Sequence, residues 1–197
     1  AHTIEIAKIL GTKYIRVFSF FIPKEDDPAI YRDEVMARMK AMTALAGREG
    51  VILLHENEKD IYGDIAARCK DILDTVDSDN LRAVFDPANF VQCDQVTYPD
   101  AYEMLKDHVV YMHIKDALFA DSSVVPAGHG DGRVRDILQA LSDRDYDGFL
   151  SLEPHLGSFD GLGDLEVGDE MLSLTNSDAG KFTLAYNSLK KILDDIR

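Results

Sequence analysis

Four short segments carry side chains that could do chemistry together: His55-Glu56-Asn57-Glu58, Asp86-Pro87-Ala88-Asn89, His113-Ile114-Lys115-Asp116 and Glu153-Pro154-His155. Each closes an apolar run, and Glu56, Asp86, His113 and Glu153 stand at the four closures. All four are metal-ligand types. One imidazole with three carboxylates suits a single divalent ion: Mn²⁺, Mg²⁺, Co²⁺ or Zn²⁺. Taken singly, each residue has a plainer reading. A carboxylate at a strand end is commonly a helix cap or a solvated acid, and a histidine in an apolar run is commonly a core residue. Company and phase favour ligation. Ile52, Leu54 and Glu56 share one strand face; so do Val84 and Asp86, Val109, Tyr111 and His113, and Phe149, Ser151 and Glu153. Glu153 also precedes Pro154 at the end of a buried strand, a costly place for an unpaired charge.

The elements that must position these groups are legible. Runs at 14–21, 51–54, 81–85, 109–114 and 149–152 have strand length and are nearly all apolar, as strands covered on both faces are. Amphipathic helical patterns lie between them. Asp27-Pro28 reads as a cap with a first-turn proline, followed by the stripe Tyr31, Val35, Met39, Met42 and Ala46, which Gly47 and Gly50 end. Ile65, Cys69, Ile72 and Val76 form a second stripe, and a short helix starts at Pro99. Val134, Ile137, Leu138 and Leu141 form another, and Phe182, Ala185, Leu189, Ile192 and Ile196 the last. Residues 2–10 read as the tail of a further helix, and 156–179 as a long, acidic, glycine-containing loop. Five strand-helix alternations predict a parallel sheet with ligands at the carboxyl ends of its strands. In a flat sheet the outer strands of the four-residue set would stand ~14 Å apart, too far to share one ion. The set therefore predicts a barrel as well as a metal.

In this order, HEN, FDPAN, HIKDA, the glycine-rich PAGHGDG and LSLEPH resemble the xylose isomerase-like TIM barrel superfamily, in its sugar phosphate isomerase/epimerase branch. The resemblance covers residues 1 to about 155 and the last helix. It implies an α/β fold of the (β/α)8 TIM-barrel type, here about five C-terminal βα units in a single domain over 1–197 that lacks the first three strands. It also implies that Glu56, Asp86, His113 and Glu153 hold the metal. The activity implied is isomerisation or epimerisation of a sugar or sugar phosphate by proton transfer through a cis-enediolate. Glu56 and Glu153 would be the catalytic acid-base pair, and Lys115, His155 and Asn89 the substrate contacts. Asn89 stands where members often have histidine, three residues after the metal Asp. That argues against a second ion and against zinc chemistry on abasic DNA. A single ion favours proton transfer over a two-metal hydride shift.

Other features are read from the residues alone. Gly128, Gly130 and Gly132 could form turns or cradle an anionic or polyol substrate. His55 has the opposite phase to Glu56 and reads as packing. Of 197 residues 36 are acidic and 21 basic, a net charge of −15. That repels phosphate backbones and anionic bilayers, so nucleic acid and membrane are excluded as partners. No apolar stretch approaches the ~20 residues of a membrane span. With 46% hydrophobic residues the chain can bury a sizeable core. Cys69 and Cys93 are too few for a disulfide scaffold and fit a reducing, cytoplasmic setting. The expected partners are a small-molecule sugar or sugar phosphate and, through open sheet edges, copies of the chain in a homo-oligomer. Rival readings are a dehydratase or lyase acting on a polyol ketone, and an inactive fragment of such a barrel.

Overall fold

The computed structural model of the protein describes residues 1–156 and 178–196. The chain begins with α1 (His2–Ile9) and β1 (Tyr14–Val17), then a 3₁₀ turn (Pro28–Tyr31) leading into α2 (Arg32–Arg48) and β2 (Ile52–Glu56). It continues with α3 (Ala66–Val76), β3 (Leu81–Phe85), α4 (Pro87–Val91), α5 (Tyr102–Leu105) and β4 (Val109–Ile114). A small hairpin of β5 (Asp116–Ala117) and β6 (Val124–Val125) precedes α6 (Val134–Ser142) and β7 (Phe149–Leu152), and α7 (Asp178–Asp195) closes the chain. Most of the predicted long acidic loop, 157–177, lies outside the described residues.

The main sheet has the order β1-β2-β3-β4-β7, and every pairing in it is parallel. Sequential parallel order is what right-handed β-α crossovers produce. The sheet is strongly curved. Rings on its two outermost strands, Tyr14 and Phe149, lie 6.1 Å apart between centroids. Four flat strand spacings would separate them by ~19 Å. The five strands therefore form a half-barrel, an incomplete barrel of the eight-strand type. The main hydrophobic core lies outside it, where Leu53, Ala83, Phe85, Met112 and Ile114 pack against Met39, Ile72, Leu105, Ile137 and Leu189 of the helices.

Three expectations about these elements need correction. The first strand ends at Val17 rather than at 21, and beyond it Phe20 adopts a positive φ of 78°, outside the pleated region. The second strand runs on to Glu56. Val109 does not share a face with Tyr111 and His113. The register with β3 shifts between Ala83 and Val84, where Ala83 pairs with Val109 and Val84 with Tyr111. The extra residue reverses the phase, so Val109 joins the core while Tyr111 faces inward. Among the described residues, no helix is long and apolar enough to cross a membrane.

His55 shows what its opposite phase does. It is 1% exposed and lies against Gly63, where an added Cβ would sit 2.4 Å from the imidazole Cε1. Its Nε2 has no hydrogen-bond partner, and burial pushes its pKa down from 6.5 to about 4. The unfolded chain therefore takes up this proton first as the pH falls. The associated stability is complete above pH ~6.5 and is lost as the pH falls towards ~4, about 3 kcal/mol in all. Urea unfolding at pH 7.5 and 4.5 checks this. The drop should shrink in His55→Leu by roughly that amount, and an unchanged drop would refute the assignment.

Candidate metal centre

Each of the four side chains is placed by its strand's pleat and by the curvature of the sheet. Glu56 is the last residue of β2; Asp86 follows β3, His113 is the next-to-last residue of β4, and Glu153 follows β7. One ligand atom from each of the four lies within 4.8 Å of all the others. The His113 Nδ1 is the hub, 2.9 Å from Glu56 Oε1, 3.1 Å from Glu153 Oε1 and 3.8 Å from Asp86 Oδ2.

Asp86 has a second duty. As N-cap of α4 its Oδ1 accepts the N–H of Asn89 at 2.9 Å, while Asn57 brackets its main chain, donating Nδ2–H to the carbonyl and accepting the N–H. This leaves Oδ2 turned into the site, fully buried, with the Lys115 ammonium 3.0 Å away as its ion-pair partner. Three converging carboxylates and one imidazole, with ligand atoms within 4.8 Å of one another, make a donor set that fits a divalent ion.

The charges explain the titration behaviour. Burial pushes Asp86 up to about 6, against the pull of Lys115. Burial also works against the Lys115 cation, but Asp86 and Glu153, the latter 3.2 Å away, outweigh it and raise the lysine. For Glu153 burial acts upward, yet His113 and Lys115 prevail and hold its carboxyl below the ordinary range. His113 is raised because its three carboxylate neighbours, Glu56 foremost, overcome the effect of burial.

The substrate contacts expected from the sequence fall at different depths. Lys115 is buried, with its ammonium between Asp86 and Glu153. Asn89 is also buried, and its amide donates to Glu56 Oε1 at 3.3 Å and to the Asn57 carbonyl at 2.9 Å. His155 is exposed, two residues beyond Glu153. The glycine loop has a different anion from the one its pattern suggests. The N–H groups of Gly128, Gly130 and Gly132 donate to the Asp116 carboxylate at 2.9, 3.0 and 2.8 Å, so the cradle holds an internal side chain.

Sequence reasoning missed one group. Arg16, on β1, places Nη1 2.8 Å from Glu56 Oε2 and 3.7 Å from Glu153 Oε1. A lone arginine inside the apolar run at 14–21 was the available signal. Arg16 and His113 also line a cavity of about 230 Å³ inside the half-barrel, with Tyr14, Val84, Tyr111 and Phe149.

Comparison with known proteins agrees with this architecture. A D-tagatose 3-epimerase-like protein superposes with a TM-score of 0.74 at 18% identity, covering 98% of this chain and 67% of its own. The IOLI protein, solved with a zinc atom, gives 0.73 at 17%, covering 100% and 68%. A probable 3-DHS dehydratase, AsbF, from Bacillus anthracis gives 0.66 at 19%, covering 90% and 68%. The chain thus spans about two thirds of the length of these structures. Among curated proteins none matches. The sequence profile described as "Xylose isomerase-like TIM barrel" matches residues 1–173, and the chain belongs to that family.

Proposed function

We propose that the site serves a divalent-metal-dependent isomerase or epimerase acting on a sugar or sugar phosphate. The observation that carries this reading is the meeting of Glu56, Asp86, His113 and Glu153, with ligand atoms within 4.8 Å, at the carboxyl ends of four neighbouring strands. A divalent ion held by these four residues supplies Lewis-acid polarisation of a substrate carbonyl. The protein supplies the proton transfers. Glu153, kept ionised by His113 and Lys115, is the base that takes the proton from the carbon beside the carbonyl. Glu56 reaches the site from the opposite end of the four-strand set; in this two-base exchange it enters the cycle carrying a proton, gives it to the neighbouring carbon or to the other face of the same one, and regains a proton as Glu153 releases its own to solvent. Asn89 and Arg16 orient the Glu56 carboxylate through its two oxygens. Lys115 and His155 face substrate oxygens, and chains associate through the outer edges of β1 and β7.

Turnover of a ketose panel in deuterated water by the Mn²⁺-loaded protein tests the reaction. The product should gain solvent deuterium at the reacting carbon, whereas loss of water from the substrate would indicate the dehydratase chemistry instead. Glu153→Gln should lower turnover by ~10² or more and leave ketose binding in place, the usual scale for losing a general base. Wild-type rates in that variant would remove Glu153 from the mechanism.

A further inference from the structure

We propose that Arg16 makes this an anion-selective site, so that the substrate carries a carboxylate or phosphate group which the guanidinium takes. The inference rests on the metal-dependent reading above and narrows its substrate class.

The first support is geometric. Arg16 spends Nη1 on Glu56 Oε2 at 2.8 Å, with Glu153 Oε1 at 3.7 Å, and its other N–H groups make no hydrogen bond among the described residues. The side chain is 48% exposed, and its guanidinium carbon lies 4.9 Å from the centroid of the Phe18 ring, which fixes the plane of the fork. A planar, half-exposed fork with unused donors beside the four-residue cluster matches the two-oxygen face of a carboxylate or phosphate.

The second support is charge. Asp86, the Glu56 and Glu153 pair with its one shared proton, and Glu58 beside Asn89 carry three negative charges, which Lys115 and a divalent ion balance while His113 ligates as neutral imidazole. Arg16 is then a surplus positive charge at a partly desolvated wall. A neutral sugar leaves that charge without a counter-ion, and a monoanionic one matches it. The site is thus locally positive in a chain whose net charge is −15.

Three ligands with one carbon skeleton test this: D-fructose, D-fructose 6-phosphate and D-fructuronate, titrated calorimetrically into Mn²⁺-loaded protein after a Mn²⁺ titration of the same sample. At least one of the two anions should bind ~10-fold or more tighter than fructose, and the arm that does so distinguishes phosphate from carboxylate. Arg16→Gln should bring the three affinities within about twofold of one another, and Arg16→Lys should keep part of the preference because it keeps the charge without the fork. The Mn²⁺ titration reports whether each variant retains an intact site. Equal binding of all three ligands by the wild type, or an undiminished preference in Arg16→Gln with Mn²⁺ still bound, would overturn the proposal alone, and no binding of any of the three would overturn the sugar reading with it. Failure of the wild-type protein to bind Mn²⁺ would overturn the metal reading and this inference with it.

Discussion

Asp86→Asn should weaken Mn²⁺ binding on the order of 10³-fold and abolish turnover while leaving the protein folded. Losing a group that merely supports a ligand costs ~10- to 100-fold in metal affinity, and losing a charged ligand itself costs more. Asparagine is the informative replacement because the two oxygens of Asp86 have different tasks. Oδ1 accepts the Asn89 N–H at 2.9 Å as the α4 cap, a role asparagine fills as well as aspartate. Oδ2 faces Lys115 at 3.0 Å and His113 at 3.8 Å, and at this oxygen the substitution removes the charge. Thermal unfolding should therefore stay cooperative while calorimetric Mn²⁺ titration collapses. A dissociation constant within about threefold of wild type would end the assignment of Asp86 as a ligand.

Asp116→Ala should cause the largest loss of stability from any single side chain near the site, about 3–5 kcal/mol, or roughly 10 °C in the unfolding midpoint. The Asp116 carboxylate accepts four backbone N–H groups, from Ala117, Gly128, Gly130 and Gly132, at 2.8 to 3.0 Å. Alanine leaves all four without their acceptor at a largely buried position. The cradle requires small residues. A Cβ at Gly130 would lie 2.4 Å from Asp116 Oδ1 and 2.5 Å from the Ala117 carbonyl oxygen. Gly130→Ala should therefore reproduce much of the loss without touching the acid, and Asp116→Asn should fall between wild type and Asp116→Ala. Differential scanning calorimetry of the three variants decides it, and a midpoint for Asp116→Ala within about 2 °C of wild type would show that the cradle does not hold the loop.

By itself the sequence determined the number and order of the main strands and the residue types at their carboxyl ends, because these are local properties. Alternation along a strand assigns each side chain to a face, and five apolar runs separated by helical stripes permit few arrangements other than a sequential parallel sheet. Leu81–Phe85 and Phe149–Leu152 could therefore be bounded from the residues alone. The same local reasoning failed at Val109, since a bulge is set by pairing with β3 and leaves no mark in the period of β4. It also misjudged the glycine loop. A run of glycines declares N–H donors, but the acceptor lies 12 to 16 residues back in the chain, at Asp116, and only the docking of the loop on the end of β4 selects it.

Arg16 marks the limit most clearly. Nothing near it in the chain is acidic, and Glu56 and Glu153 lie 40 and 137 positions away in sequence. Curvature of the sheet decides this contact. It folds the first strand towards the last until Tyr14 and Phe149 are 6.1 Å apart, and a long flexible side chain then reaches carboxylates that a flat sheet would keep out of range. Side-chain type and strand phase are written residue by residue, whereas curvature is a property of how the whole set of strands packs against its helices. The four residues of the cluster were therefore legible in the sequence, and the positive charge beside them emerged only in three dimensions.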